Sequence, residues 1–193
     1  MSSPEALIHA CCAHCTAYTI EHWRGLGYKV TAYWYNPNIH PFAEHQRRLE
    51  AMRVLAEKLE FPLIVAPGYD VEKYFRQVAG HEQERCSRCF QLRLGKTADT
   101  AAALSMKGFT SSLFISPHQQ HETARRVGSE CAGMSGVEFL YADIRKRYSE
   151  SRRITKPMEL YRQQYCGCLY SEWERYREEA QSAGTKTSIP PAV

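Results

Sequence analysis

Ala6-Leu7-Ile8-His9-Ala10-Cys11-Cys12-Ala13-His14-Cys15 decides how this chain is read. Residues 6–10 form a short apolar run suited to a buried strand, and three cysteines follow it at once. Residues 16–26 then read as a helix, with Gly27 placed to stop it. A strand, a loop of chemically active side chains and a helix, in that order, form the opening unit of an α/β protein.

The alternation continues outward from there. Residues 28–35 are β-branched and aromatic, a second strand closed by the turn Asn36-Pro37-Asn38. Over 42–59, Leu49, Met52, Leu55, Ala56 and Leu59 recur at helical spacing. A third strand is expected over 61–66, stopped by Pro67-Gly68, then helices over 71–78 and 90–106. A fourth strand over 109–116 ends at Pro117, a helix spans 121–132, and a fifth strand spans 137–142. Helices over 157–163 and 170–180 flank Cys166-Gly167-Cys168, and 184–193, with two adjacent prolines, reads as a flexible tail.

This pattern predicts an α/β fold with a parallel five-stranded sheet covered on both faces and C-terminal helices. No internal repeat or linker divides it, so residues 1–183 are expected to form one domain. Ligands of such sheets gather outside the carboxyl ends of the strands. Cys11 and Cys12 follow the first strand, His40 the second, and Ser116-Pro117-His118 the fourth, all on the same edge.

Seven of the eight cysteines fall in three groups: Cys11, Cys12 and Cys15; Cys86 and Cys89; Cys166 and Cys168. A structural zinc site or a single four-iron cluster is complete with four ligands. Seven thiolates on one centre would leave about three for a second metal or for open coordination positions, so the expected site is reactive and multinuclear. Neighbouring side chains on extended backbone point to opposite sides, so Cys11 and Cys12 suit two different metal atoms rather than one. Cys86 and Cys89, at a helix start, fit a redox dithiol, a zinc half-site or iron ligands equally well. Cys166-Gly167-Cys168 sets two thiols on one side of an extended stretch, and Gly167 lets the backbone approach a bulky centre. Cys131, alone within a helix, reads as a small buried hydrophobe.

Composition narrows the setting. A length of 193 residues allows a core that buries roughly two-thirds of the unfolded surface, so the chain needs no disulfide staples. Residues 1–13 lack the basic region and apolar core of a secretory leader, which points to the reducing cytoplasm. With mean hydropathy of -0.50 and no long apolar run, no membrane span is expected. The net charge is +4, yet between Arg145 and Lys156 six cations stand against Glu150 alone. With Tyr148 among them, that basic loop suits a phosphate backbone and a splayed base of single-stranded RNA.

His9, His14, His40, His118 and His121 are candidate proton donors or substrate contacts near the active edge, His118 foremost because it follows a strand directly. Tyr161, Arg162 and Tyr165 are candidates to line the pocket. The chain has neither a G-x-x-x-x-G-K-[ST] loop nor a G-x-G-x-x-G fingerprint. Cysteines also stand where adenylating enzymes of similar architecture carry a Ser-Gly-Gly-rich loop. No ATP is therefore expected, and electron transfer is the natural work for the metal.

These motifs resemble the cobalamin-independent epoxyqueuosine reductase family. The likeness runs through Leu7-Ile8-His9-Ala10-Cys11-Cys12-Ala13, Tyr35-Asn36-Pro37-Asn38-Ile39-His40-Pro41, Arg85-Cys86-Ser87-Arg88-Cys89-Phe90-Gln91-Leu92-Arg93-Leu94, Ile115-Ser116-Pro117-His118, and Leu160 to Cys168. The resemblance implies a Rossmann-like (HUP-like), three-layer fold and an oxidoreductase of tRNA processing. It would reduce the epoxide of epoxyqueuosine at the tRNA wobble position to an alkene, the last step of queuosine biosynthesis. It also implies a 4Fe-4S cluster beside an additional mononuclear iron, held by Cys11, Cys12, Cys86, Cys89, Cys166 and Cys168, with Cys15 as a further ligand at a position where the family carries cysteine or aspartate.

Cys11, Cys12, Cys15 and His118 are the residues expected at the reacting atoms. The partners implied are the anticodon arm of tRNA, gripped by the segment from Arg145, and an unidentified electron donor. This chain departs from the family pattern in carrying His14 where proline is usual, and in the stretch 148–153. Two other readings use the same features: an iron-sulfur tRNA sulfurtransferase, and a non-catalytic zinc-stabilised RNA-binding module.

Overall fold

A computed structural model describes residues 3–184. Five strands form one parallel sheet: β1 (Glu5–His9), β2 (Lys29–Trp34), β3 (Leu63–Val65), β4 (Gly108–Ser111) and β5 (Glu138–Phe139), in the order β3-β2-β1-β4-β5. The helices are α1 (Ala13–Gly25), α2 (Phe42–Lys58), α3 (Val71–Val78), α4 (Arg85–Ala103), α5 (His121–Ser135), α6 (Tyr148–Thr155) and α7 (Leu169–Gly184). The α/β reading of the sequence holds.

Successive side chains of a strand face opposite sides, and β1 divides the core accordingly. Ala6 and Ile8 pack with Ile20 of α1 and Met52 and Leu55 of α2 on one face. Leu7 packs with Tyr74 of α3, Leu94 of α4 and Val127 of α5 on the other. The central strand is thus buried from both sides, as three layers require. The strand order reverses at β1 between β2 and β4, and the crevice outside β1 and β4 is where such a sheet receives a ligand.

The expected edges needed correction. The fourth strand ends at Ser111, not Ser116, because the Ser111 side chain accepts a hydrogen bond from the Leu113 N–H and draws residues 112–115 into a 3₁₀ turn. β3 and β5 are shorter than the apolar runs that announce them, each having a partner on one side only. The segment read as a basic loop is a 3₁₀ turn (Arg145–Arg147) followed by α6. The helix expected over 157–163 is absent: one 3₁₀ turn (Lys156–Met158) gives way to Glu159 in the left-handed region, φ 49°, and irregular chain carries on to Cys168. The expected tail lies outside the described residues except for Gly184, the last residue of α7. Among the described residues no helix is long and apolar enough to cross a membrane.

Candidate metal centre

The first sulfur group is built on the start of α1. The helix begins at Ala13, earlier than its apolar pattern, because Cys12 in extended conformation caps it and accepts the Cys15 N–H through its sulfur at 3.4 Å. Cys12 and Cys15 therefore share the first turn, and the sulfurs of Cys11, Cys12 and Cys15 all lie within 4.8 Å of one another. Ser112, just past β4, accepts the Cys11 N–H at 3.0 Å and donates to the Cys11 sulfur at 3.2 Å. That pair of bonds fixes the triad across the crevice.

The three thiols share their protons. Hydrogen bonds from Cys11 and Cys15 pull Cys12 well below the ordinary thiol range. The same bond to Cys12 raises Cys11 to about 11, and bonds to Cys11 and Cys12, with burial, push Cys15 well above the normal thiol value.

The second group comes from two elements. Cys86 and Cys89 occupy the opening turns of α4, where burial raises both and pushes Cys89 up to about 12. Cys166 and Cys168 lie on irregular chain before α7 and are near enough to Cys86 and Cys89 to disfavour their ionisation further. The Cys166–Cys168 arm is tied down by its backbone. Arg48 of α2, 2% exposed, is paired with Glu44 at 2.7 Å and donates to the carbonyls of Cys166 at 2.8 Å and Tyr165 at 3.2 Å. The His40 N–H donates to the Gly167 carbonyl at 2.8 Å, and the Tyr165 hydroxyl to the His40 carbonyl. Gly167, at φ 152°, has Asn38 and Ile39 side-chain atoms 3.1 Å from where a Cβ would stand, so only glycine lets the arm pass.

Between the two groups sits Arg93, one helical turn beyond Cys89 and 2% exposed. Among the described residues it makes no ion pair with a carboxylate; its Nε donates to the Cys89 carbonyl at 3.4 Å. Burial opposes its charge, but Cys89, Cys166 and Cys11 outweigh that and hold it protonated. A buried guanidinium surrounded by thiols is a countercharge for thiolates.

A cavity of about 420 Å³ opens on this centre, lined by Cys11, Cys12, Cys15, Cys166 and Arg93. His14, His118, Arg162 and Tyr165 also line it, as expected, while Tyr161 instead donates to Glu44 at 2.5 Å. The His118 ring stands edge-on to Tyr148 at 6.1 Å. The remaining histidines do other work: His9 is a fully buried strut between Ser111 and the Tyr35 carbonyl, His40 is stacked on Phe75, and His121 bonds Tyr141. Cys131 is a core residue, 1% exposed.

Sequence reasoning missed Arg48 as an anchor and Arg93 as a countercharge, although Arg93 stood inside a motif already noted. It also missed Asn36 and Asn38 as cavity residues; each has a buried side-chain oxygen with no hydrogen-bond partner. Seven thiols in two groups around a buried cation fit a multinuclear iron-sulfur centre by donor chemistry, with sulfur ligands to spare.

Comparison with known proteins gives the chain a family. The family model described as "Epoxyqueuosine reductase QueH" matches residues 6–174. The chain is similar to the Epoxyqueuosine reductase QueH of Dehalococcoides mccartyi, 56% identical over 174 residues covering 90% of this chain and 96% of that protein. The protein of the same description from Thermotoga maritima is 33% identical, covering 91% of this chain and 94% of its own length. Among solved structures, a predicted subunit of tRNA methyltransferase from Methanocaldococcus jannaschii superposes with a TM-score of 0.51 over 83% of this chain and 93% of the other, at 13% identity. At that identity the likeness speaks for the fold alone.

Proposed function

This chain belongs to the QueH family of epoxyqueuosine reductases, and from that premise we propose that the thiol-lined cavity outside β1 and β4 is where the epoxide of epoxyqueuosine in tRNA is reduced to the alkene of queuosine. The reaction takes up two electrons and two protons, and the oxygen departs as water. One observation supports this seat above others: Cys11, Cys12, Cys15 and Cys166, from opposite ends of the chain, line a single cavity. Cys86, Cys89 and Cys168 stand within electrostatic reach of Cys166.

In this reading the seven thiols hold a 4Fe-4S cluster and an additional iron. When bound, that centre supplies single electrons and a Lewis-acidic position for the departing oxygen. The chain's own residues do the rest. Ser112 orients Cys11, Arg48 and Gly167 hold Cys166 and Cys168 in place, and Arg93 offsets thiolate charge without a competing carboxylate. The His118 imidazole at the rim delivers a proton to the leaving oxygen. The reduction needs an external electron donor and no nucleotide activation. A reducing cytoplasm suits its unbridged thiols, and residues 1–183 act as one catalytic domain.

Protein purified without oxygen should be brown, carry iron and inorganic sulfide, and return from epoxyqueuosine RNA a base lighter by one oxygen. Cys11→Ala and Cys168→Ala should each lose iron absorption and turnover. A colourless zinc protein or a product that has gained sulfur would overturn the reading, and full turnover by a metallated Cys168→Ala variant would remove that thiol from the centre.

A further inference from the structure

The six cations of the 145–156 segment are not equivalent. Arg145 is paired with Asp143 at 2.6 Å and Arg147 with Glu150 at 2.5 Å. Lys146, exposed on the turn between them, makes no ion pair among the described residues and lines neither cavity; beyond it Arg152, Arg153, Lys156 and, on the irregular arm, Arg162 make none either. These four unpaired cations line a second cavity, of about 500 Å³, in which Glu159 is the one carboxylate. His14, Tyr148, Arg152 and Arg162 line both this cavity and the thiol-lined one, so the two share a wall.

The cations are presented by a rigid element. Ser151 and Thr155, one turn apart on α6, are buried against α1. The Ser151 hydroxyl donates to the His14 carbonyl and accepts the Tyr18 N–H at 3.0 Å, and Thr155 bonds the His14 ring at 2.7 Å. α6 is thereby fixed to the helix that Cys12 caps and Cys15 lies on, and its exposed Arg152 and Arg153, with Lys156 at its C-cap, are held at a set distance from those thiols. Unpaired like charges gathered on one concavity repel one another, an arrangement that a bound anion relieves.

We propose that this second cavity is a phosphate subsite, which takes the backbone phosphodiester of a nucleotide next to the one being reduced. The inference rests on the reading of the thiol-lined cavity as the seat of reduction in tRNA. Single-stranded RNA is held by cations tracking its backbone while its bases splay apart. A base placed in the thiol-lined cavity puts the adjoining phosphate across the shared wall, where Arg152 and Arg162 face both sides. Arg153 and Lys156 face the second cavity alone and therefore serve the phosphate without touching the reacting base.

The test uses the metallated protein and a synthetic anticodon stem-loop RNA, with affinity measured across a salt series. Arg153→Gln/Lys156→Gln should bind more weakly, with a log–log salt slope shallower by about 0.7 for each lost contact to a single strand. Arg147→Gln, whose cation is already paired, should leave the slope as it is. A neutral methylphosphonate, moved one position at a time along the loop, should weaken wild-type binding at a position flanking the modified nucleotide and leave the double variant indifferent there. An unchanged slope in the double variant, or equal sensitivity of both proteins at every position, overturns the subsite. Turnover of epoxyqueuosine RNA by the wild type is scored separately: reduction with an unchanged slope defeats the subsite alone, and absence of reduction defeats the functional reading, while the binding series still decides the subsite.

Discussion

His45 and His9 show what burial does to single side chains here. The His45 ring accepts the Trp34 indole N–H at 3.0 Å, and burial, aided by Arg48, lowers its pKa to about 4. Burial, aided by Arg93, lowers His9 to about 3. Both rings are neutral in the folded protein, whereas in the unfolded chain they titrate near pH 6.5. As pH falls below that value the unfolded chain takes up protons that the folded one refuses. Stability is therefore full above about pH 6.5 and falls toward pH 4, by at most about 1.4 kcal/mol per pH unit for each ring. Urea midpoints of the metal-free protein should drop over that interval, and His45→Gln should lessen the slope; a flat profile would contradict the buried neutral rings. Cys12 is the opposite case, a group whose charge is favoured because its neighbours' protons point at it.

Among the elements, the weakest joint of the sheet is β5, two residues long and paired only to β4. Its register sets Gly108 against Glu138, and a Cβ on Gly108 would stand 2.4 Å from the Glu138 carbonyl oxygen. Backbone cannot yield there as a flexible side chain would. Gly108→Ala should separate β5 from β4 at a cost of about 1–3 kcal/mol, read as a lower denaturation midpoint. Because Gly108 and Glu138 lie at the opposite end of β4 from Ser112 and Cys11, metal content should stay unchanged; a variant as stable as the parent would refute the register. α6 holds the complementary lesson. In its sequence YSESRRIT only Tyr148 and Ile154 pack against the core, and Ser151 and Thr155 add the hydrogen bonds that fix it to the start of α1.

Across the whole molecule, the parallel sheet brings residues 11–15, 86–89 and 166–168 to one edge, and the last of these rides on irregular chain. A metal centre spanning all three groups would bind the folded form alone and so stabilise it. Removal of the metal from such a centre should lower the melting temperature and speed amide exchange in the arm around Tyr165 to Cys168, with β1, β2 and β4 little altered. Equal exchange in the two forms would mean that Arg48 and His40 suffice to hold the arm. The α/β class, the helices over the long apolar patterns and the three sulfur groups were all legible in the sequence, because each is a local pattern of residue type and spacing. Other features depended on tertiary structure. Charged residues on helices read as surface, so Glu44, Arg48 and Arg93 gave no sign of burial; Arg48 finds its partners only when Tyr165 and Cys166 return to α2. The pairing that silences Arg145 and Arg147 but leaves Arg152, Arg153 and Lys156 open was likewise hidden in one run of like charges. Sequence alone determined which groups the chain possesses; folding decided which of them meet, because burial and electrostatic pairing depend on distance in space and not along the chain.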